Sequence, residues 1–287
     1  MSGAVRAGWV PSTGPDAPAP NRRWLRWLLA ATVAWAVLLA GLTWLSVRDD
    51  PPTVREQRSL GEAGPVVDRA VGELAAAAGA GSVLELVPPR IDRGCRVTPF
   101  ADGATLRRAV TVLAPTGTEQ AVLDRIADRL PADWRAGVRR TPDGPRLSAD
   151  AGEFVAVEGG PTGDGRVRLT ADTGCRPVGS GYTPAPVAAD GPEVAALSAA
   201  ARALGQPVPP TPELVRAPCP GGAVARTAWS VAAPGPAAPA GPLGALTDGT
   251  PLLDAPPVYA YRAGPVTVLA ELTPDAARLT ATVACPS

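Results

Sequence analysis

One stretch limits this chain more than any other. From Trp24 to Val47 it reads WLRWLLAATVAWAVLLAGLTWLSV, with Arg26 as its only charge. Wound as a helix at 1.5 Å per residue, that run spans roughly 36 Å, more than the roughly 30 Å of a bilayer's hydrocarbon core. Trp24 and Trp27 at one end and Trp44 at the other fall where indoles favour the two interfaces, and Arg26 lies close enough to an end to reach the headgroups. The expectation is a transmembrane helix over 24–47 embedded in the lipid bilayer.

Charge sets its direction. Up to Val47 there are four Arg and one acid, which leaves 23 Arg against 26 acids in the rest. Excess positive charge before the span keeps that side in the cytoplasm. Residues 1–23 are therefore expected to be a disordered cytoplasmic tail, and everything from a stalk over 48–63 onward extracytoplasmic. An uncleaved anchor is favoured over a signal peptide, because the apolar run is long and no small-x-small site sits just beyond it. No Cys near its end awaits a lipid. The expected placement is a single-pass protein of the cell membrane.

The slightly acidic exported portion lacks the basic excess that neutralises phosphate backbones, so nucleic acid is not an expected partner. There is no His, and all 27 basic residues are Arg. Most designs for nucleophilic catalysis need a His or Lys base, and metal hydrolysis needs clustered ligands. No catalytic residue, metal or cofactor is expected. A carboxylate pair such as Glu153 or Glu158 with Asp172 remains as a glycosidase-like alternative.

Cys95, Cys175, Cys219 and Cys285 all fall on the exported side, where thiols oxidise. None forms a CxxC pair, which argues against zinc. Four cysteines admit three pairings, and an internal repeat chooses among them. Arg168-Leu169-Thr170-Ala171 stands four residues before Cys175, and Arg278-Leu279-Thr280-Ala281 stands four before Cys285. Ala151-Gly152 with Phe154, Val155 and Val157 answers to Ala263-Gly264 with Val266, Thr267 and Val268. The run Arg107–Pro115 aligns with Arg226–Pro234, and a Gly-Pro, at 64–65 and 191–192, opens a helically spaced apolar run ahead of Cys95 and of Cys219. The repeat predicts Cys95 with Cys175 and Cys219 with Cys285, each bridge closing its own half.

The expected fold class is α+β: after the anchor, two tandem and duplicated lobes over 64–178 and 191–287, joined by a linker at 179–190. Each is a mostly antiparallel sheet of about four strands with helices on one face and one internal disulfide. Thr116-Gly-Thr-Glu119 has the form of a capping box ahead of Val122, Leu123 and Ile126. Alternation over 166–172 places Val167, Leu169 and Ala171 inward with Cys175, and the same parity directs Cys285 to the core. Gly159–Gly165 reads as a hairpin loop, since it lacks the Gly-Lys-Ser/Thr ending of a phosphate loop. Ala232–Gly244 leaves the second lobe a short helix at most.

One enrichment points to a site. Arg107, Arg139, Arg166 and Arg168 fall on strands of the first lobe, and guanidinium groups suit carboxylate or phosphate recognition. The function this supports is a non-catalytic binding or scaffolding module of the cell envelope, with an envelope protein or cell-wall component as partner. A regulatory or sensory subunit acting through a membrane partner is the alternative, and a carboxylate-dependent cell-wall enzyme a third.

Overall fold

The structure, a computed structural model, describes residues 22–49, 58–163, 165–208, 211–232 and 240–286. Most of the expected tail and residues 50–57 of the stalk lie outside them. The chain divides into two compact units, Met1–Arg55 and Glu56–Ser287.

The first unit contains one helix, α1 (Arg22–Asp49). Its stretch Arg26–Trp44 has a mean hydropathy of 1.8 and is apolar and long enough to cross a membrane. The described side chains from Arg23 to Trp44 are exposed. Two hydroxyls in this stretch are satisfied within the helix, Thr32 donating to the Leu28 carbonyl at 2.9 Å and Thr43 to that of Leu39 at 2.7 Å. Such internal pairing removes the cost of carrying a hydroxyl into an apolar medium.

The second unit begins with α2 (Leu60–Ala78), followed by β1 (Val83–Thr98), β2 (Ala101–Leu113), α3 (Glu119–Arg129), β3 (Gly137–Thr141), β4 (Gly144–Asp150), β5 (Ala156–Gly163) and β6 (Arg166–Asp172). It repeats as α4 (Pro192–Ala203), β7 (Glu213–Pro218), β8 (Val224–Ala232), α5 (Ala240–Gly244), β9 (Leu253–Ala255), β10 (Val258–Ala263), β11 (Val266–Leu272) and β12 (Ala277–Val283). The strands form two antiparallel sheets of six, ordered β1-β2-β6-β5-β4-β3 and β7-β8-β12-β11-β10-β9. The second order is the first, strand for strand.

Each lobe thus holds six strands where the sequence pattern indicated about four, because the short edge pairs are too brief to alternate visibly. Gly159–Gly163 belongs to β5, and the turn comes only after it. Gly159 sits in a strand because a Cβ there would come within 2.6 Å of Leu169 and 3.4 Å of Leu123, so its bareness lets α3 settle on the sheet. The short α5 fits its Ala/Pro/Gly-rich surroundings.

Of the three expected helix starts, one stands and two differ. Gly191 caps α4 and Pro192 occupies its first turn. In α2 the cap is Ser59, whose N–H and hydroxyl donate to Glu62 Oε2 at 2.8 and 2.7 Å. The helix therefore begins inside the expected stalk, and Pro65 falls within it, where it removes one intrahelical hydrogen bond. Thr116-Gly-Thr-Glu119 is no capping box: the cap of α3 is Thr118, and its hydroxyl donates backward to the Pro115 carbonyl at 2.7 Å.

Cys95 is bridged to Cys175 and Cys219 to Cys285, one disulfide per lobe as the repeat predicts. Their surroundings differ. Cys285 is 1% exposed, but Cys175 is only half buried. Alternation continues through Thr173, which is buried with its hydroxyl accepting the Leu106 N–H at 3.0 Å, and breaks at Gly174, where φ is +64°. Arg176, rather than Cys175, is then buried, donating to the carbonyls of Thr173, Glu153 and Arg58.

The lobes share a core. One continuous apolar cluster runs from Leu74, Leu86 and Val110 of the first to Val215, Trp229 and Cys285 of the second. Gly72 of α2 lies against the end of β7 so closely that a Cβ would stand 1.6 Å from the Pro218 carbonyl oxygen. Strand β1, an edge of the first sheet, lies across one face of the second. The Leu86 N–H donates to Thr227 Oγ1 at 3.1 Å and the Trp229 indole donates to the Leu86 carbonyl at 2.8 Å. These side chains satisfy edge groups that would otherwise invite another strand. The linker is fixed too, with Tyr182 packed on Gly64 and donating to Asp68 at 2.8 Å. Asp68 also pairs with Arg108, whose Nη2 donates to the Arg216 carbonyl at 2.6 Å, bolting helix, sheet, linker and second lobe together.

Candidate functional site

Helices α2 and α3 cover one face of the first sheet, so the residues alternating outward from Arg168 line the other. That face holds a groove of about 600 Å³ bounded by Arg107, Arg146, Ser148, Glu158, Gly160, Thr162, Arg168, Thr170 and Asp172. A second hollow of about 130 Å³ continues it past Arg107 and Thr170 to Pro88 and Arg90. No aromatic ring lines either one.

Ladder register explains the arrangement. Ser148 pairs with Glu158 and Glu158 with Thr170, which puts all three in one row. One row over, Gly160 pairs with Arg168, and Arg146 reaches in from β4. Directly paired residues share a face. Arg146 lies flat across Gly160, where a Cβ would meet its Nη1 at 2.5 Å. Glycine here makes room for a guanidinium.

Charge in the groove is divided between engaged and unengaged groups. Arg107 is bound to Asp172 at 2.5 Å and to Asp92 at 2.8 Å, and these contacts, that with Asp172 foremost, hold its pKa above the ordinary guanidinium value. Asp172 also accepts the Gly174 N–H at 2.7 Å. The side chains of Arg146, Arg168 and Glu158, by contrast, are exposed and make no ion pair or hydrogen bond among the described residues. Two guanidinium forks therefore face solvent on either side of Gly160, with the Ser148 and Thr170 hydroxyls in the neighbouring row.

Of the four arginines that the sequence groups together, the structure brings Arg107 and Arg168 into the groove. Arg139 stands opposite Arg146 in the β3–β4 ladder, on the same face but at the outer edge beyond the groove. Arg166 is elsewhere in function: it is largely buried beneath the second lobe, 3.0 Å from Glu271. Arg146 and Gly160 escaped sequence reading, since a lone Arg after Pro145 and a Gly in a Gly-rich run look like turn residues. Of the candidate carboxylates, Glu158 and Asp172 share the groove, while Glu153 is paired with Arg58 at 3.0 Å outside it.

The second sheet presents the same positions to a different fate. Matching β6 to β12 through Arg168-Leu169-Thr170-Ala171 and Arg278-Leu279-Thr280-Ala281, the ladders place Ala260 where Ser148 stands, Leu269 where Glu158 stands and Thr282 where Asp172 stands. They also set Thr227 opposite Thr282, so Arg107 corresponds to Thr227. The sequence alignment of Arg107 with Arg226 is thus one residue out of register, the slip that exchanges the two faces of a strand. In the second lobe this face is buried: Val258, Ala260 and Leu269 pack on Val83 and Leu113 of the first lobe. Arg278 stacks over Trp229 at 4.5 Å and pairs with Glu85 at 3.1 Å and Glu271 at 3.6 Å. Burial pushes the Glu85 carboxyl above its ordinary pKa, with Arg278 and then Arg166 opposing the shift.

Fold and site together define a mixed α+β protein of two antiparallel six-stranded sheets, one disulfide per lobe and one apolar N-terminal helix. No family model and no curated protein matches the chain. Among solved structures it is similar to a crystal structure of a DUF4853 family protein from Actinomyces odontolyticus at 2.65 Å resolution, with 15% sequence identity and a TM-score of 0.32 over 57% of this chain and 87% of that one. A likeness at that level carries no statement about what this chain binds.

Proposed function

We propose that this chain is a membrane-anchored extracytoplasmic module that binds a ligand or partner of the cell envelope without catalysis, built by duplication of one α+β lobe. The single observation that carries the reading is the asymmetry between two sheets of identical strand order. One copy has spent its second face on supporting the other, and the first copy keeps that face open, polar and grooved. A scaffold that holds one copy rigid so that the other can present a surface is the economy of a binding module.

Anchoring is supported by the apolar α1 and by the arginines ahead of it, and exported placement by two disulfides that leave none of the four cysteines free. Absence of catalysis is supported by the groove's chemistry. Asp172 is fixed by Arg107 and a backbone N–H, which suits an acceptor, and the Glu158 carboxylate is hydrogen-bonded to no acid or base among the described residues.

Two measurements test this. A periplasmic-type reporter fused after residue 60 should be active and a cytoplasmic one silent, and the reverse overturns the orientation. Turnover of a cell-wall glycan by the full chain, abolished by Glu158→Gln in a variant that keeps its thermal transition, would replace the binding reading with an enzymatic one.

A further inference from the structure

We infer that the open face of the first sheet is a receptor for an oxyanion, a carboxylate or phosphate group held between the guanidinium forks of Arg146 and Arg168. The inference rests on the reading that this face is the ligand face. It adds the chemical class of the ligand and the residues that grip it.

Four observations converge. Among the described residues Arg146 and Arg168 are the groove's cations without a side-chain partner, whereas Arg107 is already neutralised by Asp92 and Asp172. They flank a glycine, and that glycine fixes where one of them lies: Arg146 runs across Gly160 through space that any side chain would fill. The neighbouring row supplies the Ser148 and Thr170 hydroxyls, which donate to the same kind of oxygen. Finally, the groove offers no aromatic platform for a neutral sugar or a nucleobase, and charged and hydroxyl-bearing side chains dominate its lining, so charge is its means of recognition. A planar fork with paired N–H donors matches the two oxygens of a carboxylate or phosphate. Glu158, between the two arginines in the adjoining row, disfavours a purely polyanionic strand and admits a ligand carrying hydroxyl or ammonium groups beside its acid.

The second lobe reinforces the assignment. There the counterpart of Arg168 is Arg278, and it is satisfied by two carboxylates, Glu85 and Glu271. Where this position lies against the first lobe, Glu85 and Glu271 pair with it. Where it is open, at Arg168, no described residue does.

The test uses the full chain in detergent micelles at low ionic strength, titrated calorimetrically with citrate and with inorganic pyrophosphate, with glucose as the neutral comparison. Citrate, pyrophosphate or both should bind and glucose should not, and the stronger of the two identifies carboxylate or phosphate as the natural group. Arg146→Ala and Arg168→Ala should each weaken binding about tenfold, the loss of one charge-assisted pair. Arg168→Lys should recover only part, because it restores charge without the fork. Gly160→Ala should weaken binding while Arg146 is intact, since the added methyl displaces only the far end of that side chain. Arg166→Ala should leave it unchanged. Absence of heat with both anions overturns the oxyanion assignment and leaves a ligand face for another chemistry. Binding that survives both alanine variants overturns the face itself. Equal losses on Arg139→Ala and Arg168→Ala would reduce the effect to a diffuse field and likewise contradict the site.

Discussion

The two lobes have one strand order and opposite surfaces. At corresponding positions the first carries Ser148, Glu158, Arg168 and Asp172 and the second Ala260, Leu269, Arg278 and Thr282. The first set faces water, and the second lies against the first lobe. Strand order is the same in both, but the outer face of each sheet carries different residues, so the fold of this molecule and its candidate site are recorded in different residues.

That contrast can be broken most severely by exchanging one pair. Leu269→Glu puts the first lobe's residue into the closed interface and should cost at least about 4 kcal/mol, the effect of an uncompensated buried charge, whereas Glu158→Leu should stay within about 0.5 kcal/mol. Thermal or denaturant unfolding of the two variants checks this. Equal effects would mean that the interface does not hold the lobes together.

The disulfides offer a second contrast. Chain entropy alone gives each about 4 kcal/mol, since the loops are of similar length at 80 and 66 residues. Cys219→Ser with Cys285→Ser should nevertheless destabilise more than Cys95→Ser with Cys175→Ser, because Cys285 sits in the shared core, 3.6 Å from the Gly72 carbonyl. A larger loss from the Cys95–Cys175 pair would contradict that burial. Next in size, Gly72→Ala should cost about 1 to 3 kcal/mol through overpacking against the backbone at Pro218, while Gly137→Ala, in open space on β3, should be nearly silent by the same melting measurement.

The smallest effect is one of pH. Glu85 has its carboxyl pKa raised on folding, so its charged form opposes folding. That cost is complete above the raised value and disappears as pH falls below the ordinary value of 4.5. On going from neutral pH towards 4.5, the wild type should therefore gain stability relative to Glu85→Gln, by less than the effects above. Parallel pH profiles of the two melting temperatures would refute the shift.

Some of this was legible in the sequence and some was not. Pairing of the cysteines followed from the two Arg-Leu-Thr-Ala strands, which end alike because both lobes end alike. Apolar residues at Val67, Val71 and Leu74 marked the face of α2, and Ser59-Leu-Gly-Glu62 held a capping box in plain view that the more conspicuous Gly64-Pro65 obscured. Alternation also identified the inward residues of β6. It does not reveal what covers the outward ones. Arg166 and Arg168 are two residues apart on one face, yet one lies under the second lobe and the other in the groove. Period-two reasoning treats them alike, and only the packing of a different lobe separates them. A signal was nonetheless present: Val258, Ala260 and Leu269, on what a wet sheet would leave polar, announce that something covers them. The groove itself needed the register, because Arg146, Glu158 and Arg168 lie on three consecutive strands and become neighbours only through two ladders.

The most direct measurement is selective modification of arginines in the folded full chain with phenylglyoxal, read residue by residue by mass spectrometry. Arg168 and its counterpart Arg278 share the same local sequence, so an unfolded chain would treat them alike. In the native protein Arg168 and Arg146 should react at rates near those of exposed arginines, and Arg278, held by Glu85, Glu271 and Trp229, together with Arg166, should react many times more slowly. Comparable rates at Arg168 and Arg278 would show that the second sheet's face is not closed by the first lobe, and the division of labour between the two lobes would fall with it.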